Sequence, residues 1–132
     1  MPPRLSEILS SIGTEANAAT FEQFLHELGG SLERLADLTR NADRSVDVTD
    51  FDANELKGAF RDSIEDVGQE VIIAWPADHV AARTAYRDAL ERIDDLWYPS
   101  MDDLVVIDTR EEMGRIIILD HEERLFSASL AT

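Results

Sequence analysis

No cysteine occurs in this chain, lysine occurs once, at Lys57, and no apolar run approaches the roughly 18 residues that a membrane-crossing helix requires. Without cysteine there is no disulfide framework, no thiolate nucleophile and no zinc–thiolate site, and a reducing compartment suits the chain. The N-terminal string M-P-P-R-L-S-E-I-L has no apolar centre of signal-peptide length, so the expected location is cytoplasmic. Catalytic strings are missing too. There is no G-x-S-x-G, no Walker A loop, no G-x-G-x-x-G and no H-E-x-x-H. Gly29-Gly30 is followed by Ser31-Leu32-Glu33, whose acidic neighbour is wrong for a phosphate cradle.

Basic side chains are scarce as well: 12 Lys and Arg stand against 28 Asp and Glu, a formal net charge of −16. A body of that sign repels phosphate, so nucleic acid and anionic membrane surfaces are poor partners. A basic protein is a good one, because long-range attraction speeds encounter. With 132 residues, 44% apolar and 30% charged, the chain fits one ordinary domain, residues 1–132.

Apolar periodicity divides that domain. Leu5, Ile8, Leu9 and Ile12 fall at i, i+3, i+4, i+7, and Gly13 is a stop. Thr20 and Gln23 read as a capping box before a stripe of Phe21, Phe24, Leu25 and Leu28. Gly29-Gly30 breaks that helix, and Leu32, Leu35 and Leu38 resume it. Residues 42–52 are polar, with Val46 and Val48 alternating as in a short edge strand or a loop. Asp52 and Glu55 cap a helix carrying Leu56, Ala59, Phe60, Ile64 and Val67, which Gly68 would end. The run Glu70–Trp75 reads as a strand closed by Pro76. From Ala77 to Leu96 the spacing of Val80, Thr84, Arg87, Leu90 and Ile93 predicts the longest helix of the chain, which Pro99 ends.

The densest β signal lies beyond Trp97. Leu104–Ile107, Ile116–Leu119 and Leu125–Leu130 are apolar runs separated by polar turns, the pattern of an antiparallel meander. The expected fold is therefore α+β. A helical part (about 1–97) packs on one face of a C-terminal meander of three to four strands (about 103–131). The first two of these runs are continuously apolar, which asks for cover on both faces, by helices or by a docked partner such as a second copy of the chain.

Carboxylates crowd this stretch: Asp94-Asp95, Asp102-Asp103, Asp108, Glu111-Glu112, Asp120 and Glu122-Glu123. Acid–base catalysis needs two carboxyls in unlike environments, and adjacent pairs in turns are more simply both solvated. The acidic loops lack the D-x-D-x-D-G spacing of a calcium loop, and His26, His79 and His121 lack zinc-ligand spacing. No catalytic residue, metal ligand or cofactor site is assigned. Trp97 and Tyr98 stand between two aspartate pairs, which is how an interface anchor looks, although Trp97 by itself suits a core cap. The candidate contact residues for a partner are Asp94, Asp95, Tyr98, Asp102, Asp103, Asp108, Glu111 and Glu112.

The string Trp97-Tyr98-Pro99-Ser100-Met101-Asp102-Asp103-Leu104-Val105-Val106, with the later Asp120-His121-Glu122-Glu123, resembles the C-terminal half of small immunity proteins that accompany bacterial polymorphic or contact-dependent toxins. The helix–strand order read here differs from that of barstar-like inhibitors, which share the acidity. The resemblance implies a non-enzymatic inhibitor whose acidic surface covers the basic active site of a cognate toxin domain. Two other classes stay open on the residues alone: a small metal-dependent enzyme using the clustered carboxylates, and a homodimeric structural or adaptor protein.

Overall fold

The three C-terminal apolar runs form three consecutive antiparallel strands in the computed structural model, which describes residues 2–65, 68–98, 102–109 and 114–130. They are β4 (Leu104–Asp108), β5 (Arg115–Leu119) and β6 (Arg124–Ser129). Register follows the pattern of apolar pairs, with Val106 opposite Ile117 and Leu119 opposite Leu125. This meander is half of a larger sheet. The strands β1 (Arg44–Asp47), β2 (Glu70–Trp75) and β3 (Val80–Ala85) join it, giving six antiparallel strands in the order β1-β6-β5-β4-β2-β3. The α+β class holds; the sheet is wider than the three to four strands expected.

The extra width comes from two places. Val46 does belong to an edge strand, paired with Leu125 across β6. The larger correction is the long helix expected from Ala77. Pro76–Asp78 makes one 3-10 turn, and His79 then takes left-handed backbone (φ 54, ψ 40). That conformation ends a helix and reverses the chain. Val80–Ala85 returns along β2, with Val80 opposite Trp75 and Thr84 opposite Val71. Small side chains at Ala81 and Ala82, both buried, allow close cover on either face of the strand. Helix resumes only in α5 (Tyr86–Glu91) and α6 (Ile93–Leu96).

Helices cover both faces, not one. On the first face, α1 (Pro3–Ser11), α4 (Ala53–Ser63), α5 and α6 bury Leu5, Phe60, Tyr86 and Leu96 against Val71, Ile73, Val106 and Ile117. On the second, α2 (Ala18–Glu27) and α3 (Arg34–Arg40) place Phe24, Leu28 and Leu38 over Ile72, Val105, Ile107 and Ile116. Alternate residues of a strand point to opposite faces, so a strand with helices on both sides is apolar throughout. The continuous runs in β4 and β5 have this cause. A sheet shared between two copies is not needed to explain them.

Helix ends show which local signals acted. Asp52 and Glu55 form the expected reciprocal capping box, with the Glu55 N–H 2.8 Å from Asp52 Oδ1 and the Asp52 N–H 3.3 Å from Glu55 Oε1. The cap of α2 lies one turn earlier than Thr20. Asn17 Oδ1 accepts from the Thr20 N–H (2.8 Å) and hydroxyl (3.0 Å), so Thr20 is the capped residue and not the cap. Gly29 and Gly30 both have positive φ (84 and 98), and the Gly30 N–H closes on the Leu25 carbonyl at 2.8 Å. The helix read as running to Gly68 stops at Ser63, because Ile64 turns to extended backbone and is buried (2% exposed). Val67 lies outside the described residues.

Candidate docking surface

Register sorts the charged residues to opposite ends of the sheet. At one end β1 finishes at Asp47 opposite Arg124, the start of β6, while β5 finishes at Leu119 opposite Leu104, the start of β4. The loops leaving this end carry Asp47, Asp50, Asp52, Asp103, Asp120, Glu122 and Glu123. Two of them touch: the Val48 N–H donates to the Glu123 carbonyl at 2.9 Å, joining the loop after β1 to the turn between β5 and β6. At the opposite end lie Arg44 and Arg115, the first residues of β1 and β5, and Arg83 in the second half of β3.

Carboxylates at the two ends are held by different donors. Opposite the acidic end, guanidinium groups neutralise them. Arg115 bonds both oxygens of Asp43 (2.7 and 2.9 Å), Arg44 pairs with Asp62 (3.2 Å) and Arg83 with Glu70 (3.3 Å). The Arg115 hydrogen bonds hold the Asp43 carboxyl below its ordinary pKa, and the same contact raises that of Arg115. At the acidic end the donors are mostly neutral. Asp47 accepts from the Thr49 N–H (3.0 Å) and hydroxyl (2.5 Å), which together lower its pKa. Asp52 caps α4, and Asp120 accepts from the N–H groups of Glu122 (3.0 Å) and Arg124 (3.1 Å). Neutral donors fix a carboxylate without cancelling its charge, so this end keeps a strong negative field.

Asp103 is the bridge between loops. Its Oδ1 accepts from the His121 N–H (2.9 Å) and meets His121 Nδ1 at 3.0 Å. That hydrogen bond, the Asp103 charge and weaker contributions from Asp120 and Glu122 raise the imidazole pKa. Beside it lies a second cluster. Arg4 of α1 donates from Nη2 to both oxygens of Asp102 (2.8 and 2.7 Å) and from Nη1 to the Asp95 carbonyl (3.3 Å). Its guanidinium carbon sits 4.2 Å from the centre of the Tyr98 ring. The Tyr98 N–H donates to Asp102 Oδ2 (2.9 Å), and Trp97 Nε1–H to the Asp102 carbonyl (3.0 Å). An open depression of about 240 Å³ beside this cluster is lined by Arg4, Glu7, Ile8, Ser11, Arg92, Asp95 and Tyr98.

The candidate contact residues therefore divide. Asp95, Tyr98, Asp102 and Asp103 come together near the acidic end, and the exposed Asp94 lies on the same short helix as Asp95. Of these, Asp102 is a correction: it is 8% exposed and turned inward to Arg4 and the Tyr98 amide, so it orders the loop and is not a contact surface. Asp108 is a second correction. It is fully buried at the far end of β4, opposite Val71 and Arg115. Nearby Tyr86 is buried as well, which pushes its phenol pKa up. Glu111 and Glu112 lie outside the described residues. Trp97, 4% exposed, is part of the core, whereas Tyr98 is 40% exposed.

Several residues of this surface escaped the sequence. Asp47, Asp50 and Asp52 reach it only because β1 pairs with β6, and Arg4 meets Asp102 across 98 positions of chain. Asp120, Glu122 and Glu123 were visible as a carboxylate run, but nothing local set them beside Asp103. Among the described residues no group of three or more His, Asp or Glu side chains is arranged to hold a metal ion, and no helix is long and apolar enough to cross a membrane. Comparison with protein-family models, with curated proteins and with solved structures finds no match for this chain.

Proposed function

We propose that this chain is an inhibitor of the immunity-protein type, acting in the cytoplasm, which binds a basic toxin domain through the acidic end of its sheet. One observation carries the reading. Charge is partitioned along the strands: carboxylates at one end are held by amides and hydroxyls and stay charged, while those at the other are neutralised by Arg44, Arg83 and Arg115. A one-ended negative field orients a cationic partner as well as attracting it, which raises the rate of productive encounter. Asp103, Asp120, Glu122 and Glu123 are the contacts of this reading, with Asp94, Asp95 and Tyr98 at its margin.

The test is association with a basic toxin domain encoded beside this chain, followed over a salt series. The expected on-rate falls by about tenfold or more from low to physiological salt. Charge reversal at Asp103 and Glu122 slows association, while reversal at Glu70, at the other end, leaves it unchanged. Equal effects at both ends would refute the oriented surface. A partner whose toxicity is unaffected by this chain would refute the inhibitor.

A further inference from the structure

We infer that the depression between α1 and α6 receives an arginine side chain of the basic partner, which lies against Tyr98 and pairs with Glu7 and Asp95. The inference rests on the cationic partner proposed above and names the chemistry of one contact.

Size comes first. At about 240 Å³, open to solvent, the depression falls below the ~300–1,000 Å³ of pockets that enclose small molecules, and suits one long side chain entering from outside. Its aromatic wall is Tyr98, 40% exposed and the one large apolar side chain exposed among the described residues. Guanidinium chemistry already operates on this ring, since Arg4 stacks on it at 4.2 Å. A planar guanidinium both stacks and forks to a carboxylate, whereas a lysine ammonium does only part of this.

Charge also favours a cation. Arg4 is held by Asp102, and Arg92 Nη1 lies 3.5 Å from Asp95 Oδ2. Glu7 is exposed, with no ion-pair partner among the described residues. The lining itself carries two guanidiniums and two carboxylates; because Asp102 offsets Arg4 from behind and Arg92 faces Asp95, the Glu7 charge is left uncompensated, within a chain of −16. Asp102, which holds Arg4 from behind, is followed directly by Asp103 of the acidic end.

The experiment is a titration of the full chain with N-acetyl-arginine methylamide, followed by amide ¹H–¹⁵N shifts, with N-acetyl-lysine methylamide as comparator. Saturable shifts are expected at Glu7, Ser11, Asp95 and Tyr98, with the lysine compound about threefold weaker. Glu7→Gln, an exposed and structurally mild change, weakens the arginine compound by about threefold, and Tyr98→Leu by a similar factor. The double variant Asp103→Asn, Glu122→Gln leaves it unchanged. Equal binding of the two compounds, shifts spread along the whole acidic surface, no response, or an unaltered Glu7→Gln would overturn the inference. If partner association keeps its dependence on Asp103 and Glu122 while the arginine compound fails, only this contact falls. If the compound binds here while those charge reversals leave partner association untouched, the oriented acidic surface falls instead.

Discussion

Arg4 and Asp102 meet at 2.7 and 2.8 Å, joining the first helix of the chain to the loop that enters β4. Asp102 is simultaneously fixed by the Tyr98 amide, and its own backbone carbonyl by Trp97. The pair thus sets the position of Tyr98 and, one residue on, of Asp103. Side-chain exposures of 29% and 9% place it between a surface and a buried ion pair.

Replacing Arg4 with Met should destabilise the protein by about 2 kcal/mol, the range of a hydrogen bond to a charged group that loses its partner. Urea unfolding would measure this as a lower midpoint at unchanged slope. The same variant should shift the amide resonances of Tyr98 and Asp103, because the loop loses its clamp. A change within about 0.5 kcal/mol would mean that the pair is merely solvated, as most surface pairs are.

Phe24 tests whether the second face of the sheet is core. Fully buried against Ile72 and its neighbours, Phe24→Ala should cost about 3–5 kcal/mol. A loss under 1 kcal/mol would mean that α2 and α3 cover the sheet loosely and leave that face open to a partner.

Two glycines have opposite expectations. Gly58 lies inside α4 with open space where a Cβ would go, so Gly58→Ala should stabilise by about 1 kcal/mol. Gly30 has equal space but φ of +98, so Gly30→Ala should destabilise by about 1 kcal/mol from backbone strain alone. Thermal unfolding of both variants side by side would show shifts of opposite sign.

Two charged pairs with shifted groups, His121–Asp103 and Asp43–Arg115, give opposite pH trends. His121 has a raised pKa in the fold, chiefly through Asp103, so its contribution is complete below the ordinary histidine value and disappears as pH rises through the folded value. Asp43 has a lowered pKa through Arg115, so its contribution is present above the ordinary aspartate value and disappears as pH falls through the folded one. An NMR titration of His121 in Asp103→Asn should show its pKa returning toward the ordinary value. An unmoved titration would assign the shift to the general field of the acidic end.

The sequence by itself determined the α+β class, the three strands of the C-terminal meander, the Asp52–Glu55 cap and the break at Gly29-Gly30. Each is written in neighbouring residues, through a period, a cap or a backbone preference. It also determined the sign of the protein's own field, since net charge is a sum over composition. Tertiary structure decided the rest. Val80–Ala85 carries a weak helical spacing, and became a strand because His79 reverses the chain where β2 offers an edge to pair with. Asp102 and Asp103 are adjacent and chemically alike, yet one is turned in to Arg4 and the other out to His121. Asp108 reads as one more surface carboxylate, and is buried because β4 lies at the centre of a sheet covered on both faces. Burial, ion pairing and the collection of charges at one end depend on which distant strands become neighbours. No local pattern encodes that.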